Sequence, residues 1–355
     1  MGSAIPRSLA VLVLWGILAF GGHAGVQMTL VTGGGGMVRL DAVTPILVTL
    51  QNDDTDRNGT VVVSLLTAQG EVSRAARDVA LSPQSRKAVF LYLPATSLTP
   101  TKVRVRYANG RRAIVSETIE SVTPLNGLLP VTAIIGPPPP GLPEIQDEKG
   151  AQLGARVFLT PDQLPDRWEG LQMCDAIILG TALAHPLESP QVTALRDWVL
   201  RGGVLAIVAD KKTDGLMALA SERVLPFTPL ALEEVALDRF GGATAEVMTG
   251  TVERAATLLE SNGYPLAIRR NTGLGSVVCV MMPFDAPAVR GWDGWTEFWA
   301  RAFAHLTIPT ESASSYPSGL ASPESRTSPL LAAAKPPEQP TERLALVVLL
   351  STLYV

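Results

Sequence analysis

Three side chains capable of acid–base or metal chemistry follow predicted strands in the second half of the chain: His185, Asp210 and Asp285. Side chains at the carboxyl ends of parallel strands gather at one edge of a sheet, where α/β folds bind ligands. We therefore predict a crevice lined by these three residues. Catalysis there would need the three groups to converge on one point. A solvent-exposed loop histidine beside Pro186 is the alternative interpretation of His185.

The other reactive residue types form no recognisable site in the sequence. Cys174 and Cys279 lie in or beside apolar runs, which is typical of small buried side chains. The sequence alone does not decide whether they form a disulfide. No His, Cys, Asp or Glu residues have the spacing of a zinc or calcium site in the sequence. The G-x-S-x-G motif of serine hydrolases is also missing. Gly33–Gly36 lack the strand and helix context of a phosphate-binding loop, so they predict a flexible loop. We predict neither a metal nor a cofactor.

Composition narrows the class of protein. The 355 residues suffice for about two domains. Charged residues make up 17% of the chain, below the usual quarter of a soluble domain, which favours a membrane-associated or envelope protein. The formal net charge is −4 and no basic block occurs, so the sequence predicts no nucleic-acid partner.

Both ends of the chain carry membrane signals. Arg7 precedes the apolar run Leu9–Phe20, and small residues suited to cleavage follow. This pattern predicts a signal peptide over residues 1–24, with an uncleaved anchor as the alternative. Arg343 precedes a run that stays apolar to the last residue. We expect residues 342–355 to begin a transmembrane helix that the chain end truncates; a short amphiphilic tail is the alternative.

Residues 25–125 have an all-β pattern. Short runs of alternating apolar and polar residues are separated by turn clusters. Asn109-Gly110 lies between two such runs and predicts a hairpin. Six or seven short strands at intervals of about 8–12 residues predict an immunoglobulin-like β-sandwich.

The pattern changes after residue 126. Continuous apolar runs such as LLPVTAIIG, DAIILG and VLAIVAD indicate strands buried on both faces of a parallel sheet. Ser189–Leu200 is predicted to be a helix that Ser189 caps and Gly202-Gly203 ends. These features predict an α/β flavodoxin-like domain over residues 126–309. A disordered linker rich in Ser, Pro, Ala and Glu is predicted at 310–341.

One family resemblance follows from these motifs. The stretch DAIILGT…LRDWVLRGGVLAIVAD, the late strand GLGSVVCVMMPFD and a Trp-rich helix resemble the class I glutamine amidotransferase-like domain. Active members of that family carry a cysteine nucleophile after the strand that follows the helix, and a His and Glu pair after a late strand. The resemblance puts Val208 at the nucleophile position, and Met281–Asp285 contains neither His nor Glu. It therefore implies a degenerate domain without glutaminase chemistry.

The domain order resembles uncharacterised bacterial membrane-anchored proteins with a β-sandwich followed by such a degenerate domain. We expect a non-catalytic, membrane-tethered binding or scaffolding protein of the bacterial envelope, anchored in the cell membrane by its C-terminal helix. The bulk of the chain would be extracytoplasmic and would bind an envelope protein partner. The alternatives are a hydrolase or small-ligand sensor that uses the crevice of His185, Asp210 and Asp285, and a purely structural spacer.

Overall fold

The protein is described here from a computed structural model. Its described residues are 25–94, 96–146, 153–181, 186–209 and 214–304. They lie within one compact unit that ends at Thr307. Of the described residues, 51% lie in strands and 17% in helices, so this part of the chain is mostly β.

The first region, residues 25–125, consists of nine strands around one apolar core. The strands are β1 (Val26–Thr32), β2 (Met37–Arg39), β3 (Thr44–Asn52), β4 (Arg57–Thr67), β5 (Gly70–Leu81), β6 (Ser85–Leu93), β7 (Lys102–Asn109), β8 (Arg112–Ile119) and β9 (Thr123–Leu125). Two antiparallel sheets, in the orders β1-β3-β6 and β5-β4-β7-β8, enclose the core. This architecture fits the predicted sandwich.

Strand β7 shows how the sequence produces this packing. Val103, Val105 and Tyr107 are buried in the core, while Lys102 and the arginines between them are exposed. The alternation follows from the two-residue period of a strand, which sends successive side chains to opposite faces. β7 pairs with β8 directly after the Asn109-Gly110 turn, where Gly110 has a φ of +57°. The predicted hairpin is confirmed.

The second region is built on a seven-stranded sheet with a separate two-stranded ribbon. Its strands are β10 (Val131–Ile135), β11 (Ala155–Leu159), β12 (Ala176–Gly180), β13 (Val204–Val208), β14 (Phe227–Leu237), β15 (Ala243–Val252), β16 (Ala256–Ser261), β17 (Tyr264–Thr272) and β18 (Gly275–Val280). The sheet order is β11-β10-β12-β13-β18-β17-β16, and β14 pairs with β15 alone. The first five strands are parallel, whereas β17 and β16 are antiparallel additions.

The helices are few and short. In the described residues they are α2 (Ser189–Leu200), α3 (Asp214–Ser221), α4 (Pro287–Arg290) and α5 (Trp295–Ala302), with 3-10 turns at Pro161–Gln163, Trp168–Leu171 and Asp238–Phe240. The segment labelled α1 (Gly33–Gly36) is a turn, because Gly34 and Gly35 have positive φ values. The predicted bounds of α2 are confirmed, but its cap is Glu188, whose backbone N–H donates to Gln191 Oε1 at 2.9 Å. The aromatic residues of α5, Trp295, Phe298 and Trp299, belong to the core.

The predicted flavodoxin-like, class I glutamine amidotransferase-like domain is contradicted, because the structure is mostly β. A doubly wound sheet needs helices between successive parallel strands on both faces. Between β11 and β12, however, the chain forms two 3-10 turns, and the described residues between β10 and β11 contain no helix. The apolar runs correctly indicated buried strands, but they say nothing about what connects them.

Membrane anchoring is the second correction. Among the described residues no helix is long and apolar enough to cross a membrane. This finding stands against the predictions of a transmembrane helix and of a membrane partner bound through a C-terminal helix. The predicted signal peptide at 1–24, the linker at 310–341 and the segment 342–355 lie outside the described residues.

The two regions are joined by contacts of three kinds. A polar contact links Arg39 of β2 to Asp175, with Nη1 and Oδ2 at 2.9 Å. A second polar contact is the hydrogen bond that the Tyr92 hydroxyl donates to Asp166. A steric contact brings the α1 turn against β11. A steric contact also occurs between Gly170 of the second region and the ring of Tyr92 on the outer face of the β1-β3-β6 sheet. Leu47, on the same face, is buried and lines the cleft between the regions.

Candidate functional site

Val208, the position that the resemblance assigned to the nucleophile, takes part in backbone hydrogen bonds at the carboxyl edge of the parallel strands. Val208 ends β13 and lies in register with Gly180 of β12 and Val280 of β18. Its carbonyl oxygen accepts the Thr181 N–H at 3.1 Å, and the Ala209 N–H donates to the Val280 carbonyl at 2.8 Å. The valine side chain offers no nucleophilic atom, so this point of the edge supplies packing and backbone bonding.

Of the three residues predicted to line the crevice, Asp285 alone is described. It is exposed, five residues beyond the end of β18. Together with Glu234 of β14 and Glu246 of β15 it lines a cavity of about 390 Å³. His185 and Asp210 lie outside the described residues. Their convergence with Asp285 therefore stays a prediction.

The β14–β15 ribbon lies against this edge of the sheet. The Met248 N–H donates to the Met281 carbonyl at 2.7 Å, and the side chains of Val247 and Met248 are buried. The opposite strand of the ribbon exposes Leu230 and Leu232. No sequence pattern links Met248 to Met281, so the packing of the ribbon on the sheet edge could not be predicted. That contact joins residues about 30 positions apart through a single backbone hydrogen bond.

A cleft of about 360 Å³ separates the two regions on the side of the loops that follow β11 and β12. It is lined by side chains of both regions, including Arg77 and Phe90 from the sandwich and Asp162, Asp166, Pro186 and Glu188 from the second region. Ligand sites often occupy such junctions. His185 directly precedes Pro186 in the sequence, which is the only signal that pointed toward this cleft. Among the described residues, no group of three His, Cys, Asp or Glu side chains could hold a metal ion.

Both cysteines are free, so the disulfide that the sequence left open is not formed. Cys279 is fully buried in β18, and burial raises the pKa of its thiol. Burial, followed by the charge of Asp175, raises the pKa of the Cys174 thiol to about 12. Because the thiolate is the reactive form, neither cysteine is an activated nucleophile.

We expect neither cysteine to react with a thiol reagent at pH 8 in the folded protein, and both to react in urea. A colorimetric thiol titration with and without denaturant measures the number of reactive groups. Rapid labelling of a thiol in the folded chain would contradict the burial of both cysteines.

The raised pKa of Cys174 also affects stability. The folded pKa of Cys174 lies above the usual 9.0, so its contribution to stability is complete below pH 9 and declines as the pH rises toward 12.

Comparison with known proteins identifies one family. Residues 25–122, which cover most of the sandwich, match the model of a family described as Domain of unknown function (DUF8726). The match spans less than half of the chain. No curated protein matches the chain.

Solved structures show only distant likenesses. A Paenibacillus cycloisomaltooligosaccharide glucanotransferase is 12% identical with a TM-score of 0.26, over 52% of this chain and 28% of that protein. The CsgH protein of R. palustris is 16% identical with a TM-score of 0.18, over 27% and 91%. The CARDB domain of a Pyrococcus furiosus protein is 13% identical with a TM-score of 0.21, over 30% and 99%. These likenesses support no conclusion about fold or function.

Proposed function

We propose that this chain is a non-catalytic binding or scaffolding protein that works outside the cytoplasm, in the bacterial envelope. The observation that carries the proposal is the joint between the two regions. Arg39, Tyr92 and the α1 turn fix the sandwich to the second region at separate points. A rigid pair of regions presents its surfaces in a fixed relation, which is the property that a scaffold needs.

Two further features support the non-catalytic part of the proposal. Val208, at the carboxyl end of β13, has no nucleophilic side-chain atom, and its carbonyl oxygen accepts the Thr181 N–H. The two cysteines that the chain does possess are buried thiols with raised pKa values. Export is supported by Arg7 and the apolar run that follows it, which have the order of a secretory signal.

Site-specific photo-crosslinking in intact cells tests the proposal. A photoreactive residue at Leu230, which is 73% exposed in the ribbon, is expected to give one discrete cross-linked protein species. Because the chain is proposed to lie outside the cytoplasm, protease added to spheroplasts should degrade that species. Immunoblotting against a tag on the chain measures both results.

Leu274 provides the matched control, because this leucine is 70% exposed in the turn between β17 and β18. A photoreactive residue there is expected to give no discrete species. Equal products from Leu230 and Leu274 would indicate random collision. The absence of a product at Leu230, or a product that protease reaches only after cell lysis, would contradict the proposal.

The alternative function, a hydrolase or small-ligand sensor in the predicted crevice, has one observation in its favour. Asp285 lines the cavity of about 390 Å³ at the edge of the sheet. His185 and Asp210 lie outside the described residues, so the acid–base group that this function would need stays a prediction.

A further inference from the structure

Three arginines share the outer face of the four-stranded sheet of the sandwich. Arg104 and Arg106 are exposed on β7, and Arg74 is exposed on β5, two strands away. Ser64 of β4 lies in register between Arg74 and Arg104, and Val62 lies in register with Arg106. We refer to the surface formed by Arg74, Arg104 and Arg106 as the arginine face.

These guanidinium groups are not neutralised by neighbouring acids. Within the described residues, Arg74, Arg104 and Arg106 form no ion pair. Two acids on or beside the same sheet have other partners, and Glu71 and Glu117 form no ion pair with the three arginines. Asp78 accepts a hydrogen bond from Thr60 at 2.6 Å, and Glu120 pairs with Lys102. Residues 25–122 carry eleven Lys and Arg against eight Asp and Glu, although the whole chain is net acidic.

The two outer faces of the sandwich have opposite characters. The face of the β1-β3-β6 sheet carries Leu47, Phe90 and Tyr92 and packs toward the second region. The arginine face belongs to the other sheet, and its three arginines are exposed. The aliphatic stems of the arginines account for the low exposure of Val62 and Ser64. They leave the charged heads of the arginines at the surface.

The spacing of the arginines selects the shape of an anionic ligand. Residues two apart on a strand are separated by about 7 Å, and residues two strands apart by roughly 10 Å. Arg104 and Arg106 thus present two cations in a row along β7, with Arg74 beside them. Guanidinium groups bind phosphate through paired hydrogen bonds. A flat, exposed row of such groups fits an extended chain of phosphates, because successive phosphates along the chain can contact successive arginines.

We infer that the arginine face binds a linear phosphate-bearing polymer. This inference adds a ligand to the proposed binding role, but it depends on the arginine face alone. The test uses purified full-length chain, so its outcome is independent of export and of the ribbon's partner. The R104Q/R106Q double variant removes two charges and retains much of the side-chain length that covers Val62.

Long-chain inorganic polyphosphate is the probe. Fluorescence anisotropy at low salt should show binding by the unaltered chain that weakens as salt is added, because counterions are released on binding. R104Q/R106Q should bind at least about tenfold more weakly, since each charged contact to phosphate contributes more than an ordinary hydrogen bond. The control R86Q/K87Q removes two exposed cations from β6 and should bind within about twofold of the unaltered chain. Circular dichroism checks that both variants fold.

Three results would overturn the inference. Equal losses in R104Q/R106Q and R86Q/K87Q would show that net charge alone drives binding. Binding to phosphatidylglycerol vesicles but not to polyphosphate would identify a membrane surface as the ligand. Failure of the unaltered chain to bind polyphosphate at low salt would remove the ligand altogether.

Discussion

Replacing Gly34 by alanine is expected to destabilise the folded protein by about 2–5 kcal/mol. Gly34 has a φ of +59°, a left-handed conformation in which an L-residue is strained by about 1–2 kcal/mol. A Cβ atom at this position would also lie 2.6 Å from Val157 Cγ1 and 2.8 Å from Met173 Cε. Both atoms belong to the buried joint between the regions, so relieving the overlap requires the joint to open or repack.

Urea denaturation followed by circular dichroism measures this change in the free energy of unfolding. The neighbouring Gly35 is a matched control, because its φ is +73° but a Cβ atom there would meet nothing within 4 Å. G35A should therefore lose only the backbone contribution, about 1–2 kcal/mol. If G34A and G35A were equally stable, the contact of α1 with Val157 and Met173 would not hold the regions together.

The glycine turn also shows where sequence reasoning stopped. Gly33–Gly36 predicted a flexible loop, because nothing near them in the sequence resembles a phosphate-binding motif. In the structure Gly33 and Gly34 are buried. Their partner Val157 lies more than 120 residues further along the chain. A turn that must be glycine for steric reasons cannot be distinguished from a flexible one until that partner is known.

The strands of the second region were more accessible to prediction than their connections. The run around Val131–Ile135 and the runs ending at Gly180 and Val208 are strands as their apolar continuity indicated. Pro137–Pro140 follow the first of these strands, and a run of prolines cannot form the interior of a helix. The inference that helices cover both faces of the parallel sheet came from the apolar runs, the helix Ser189–Leu200 and the family resemblance. It proved wrong because the connection between β11 and β12 is made of short 3-10 turns.

The cavity at Asp285 and the arginine face also differ in how far the sequence could predict them. Asp285 was singled out because it follows a strand, and it does line a cavity at the sheet edge. The arginine face was invisible, since Arg74 lies about 30 residues before Arg104 and no basic run links them. Pairing of β5 and β7 with β4 is what brings them onto one surface. Strand order cannot be obtained from alternation alone, because alternation fixes only the face on which each residue lies.

The joint between the regions depends further on Arg39, and replacing it by methionine is expected to cost about 2–3 kcal/mol. Arg39 Nη1 lies 2.9 Å from Asp175 Oδ2, and its Nη2 donates to the Gly127 carbonyl at 2.8 Å. The side chains of Arg39 and Asp175 are 11% and 28% exposed, so solvent screens the pair only in part. The R39M variant would leave the carboxylate with the Val131 N–H, at 2.7 Å, as its remaining described partner.

A double-mutant cycle separates the pair from its surroundings. D175N keeps an oxygen for the Val131 N–H but removes the charge, so R39M/D175N should cost less than the sum of the two single variants by about 1 kcal/mol. Thermal or urea unfolding of the four proteins measures this coupling. K102M, which breaks the Lys102–Glu120 pair whose side chains are 45% and 67% exposed, should change stability by no more than about 0.5 kcal/mol. Additive effects of R39M and D175N would mean that Arg39 acts only through its hydrogen bonds to the Gly127 and Met173 carbonyl groups. The fixed relation between the regions would then rest on the steric fit around Gly34.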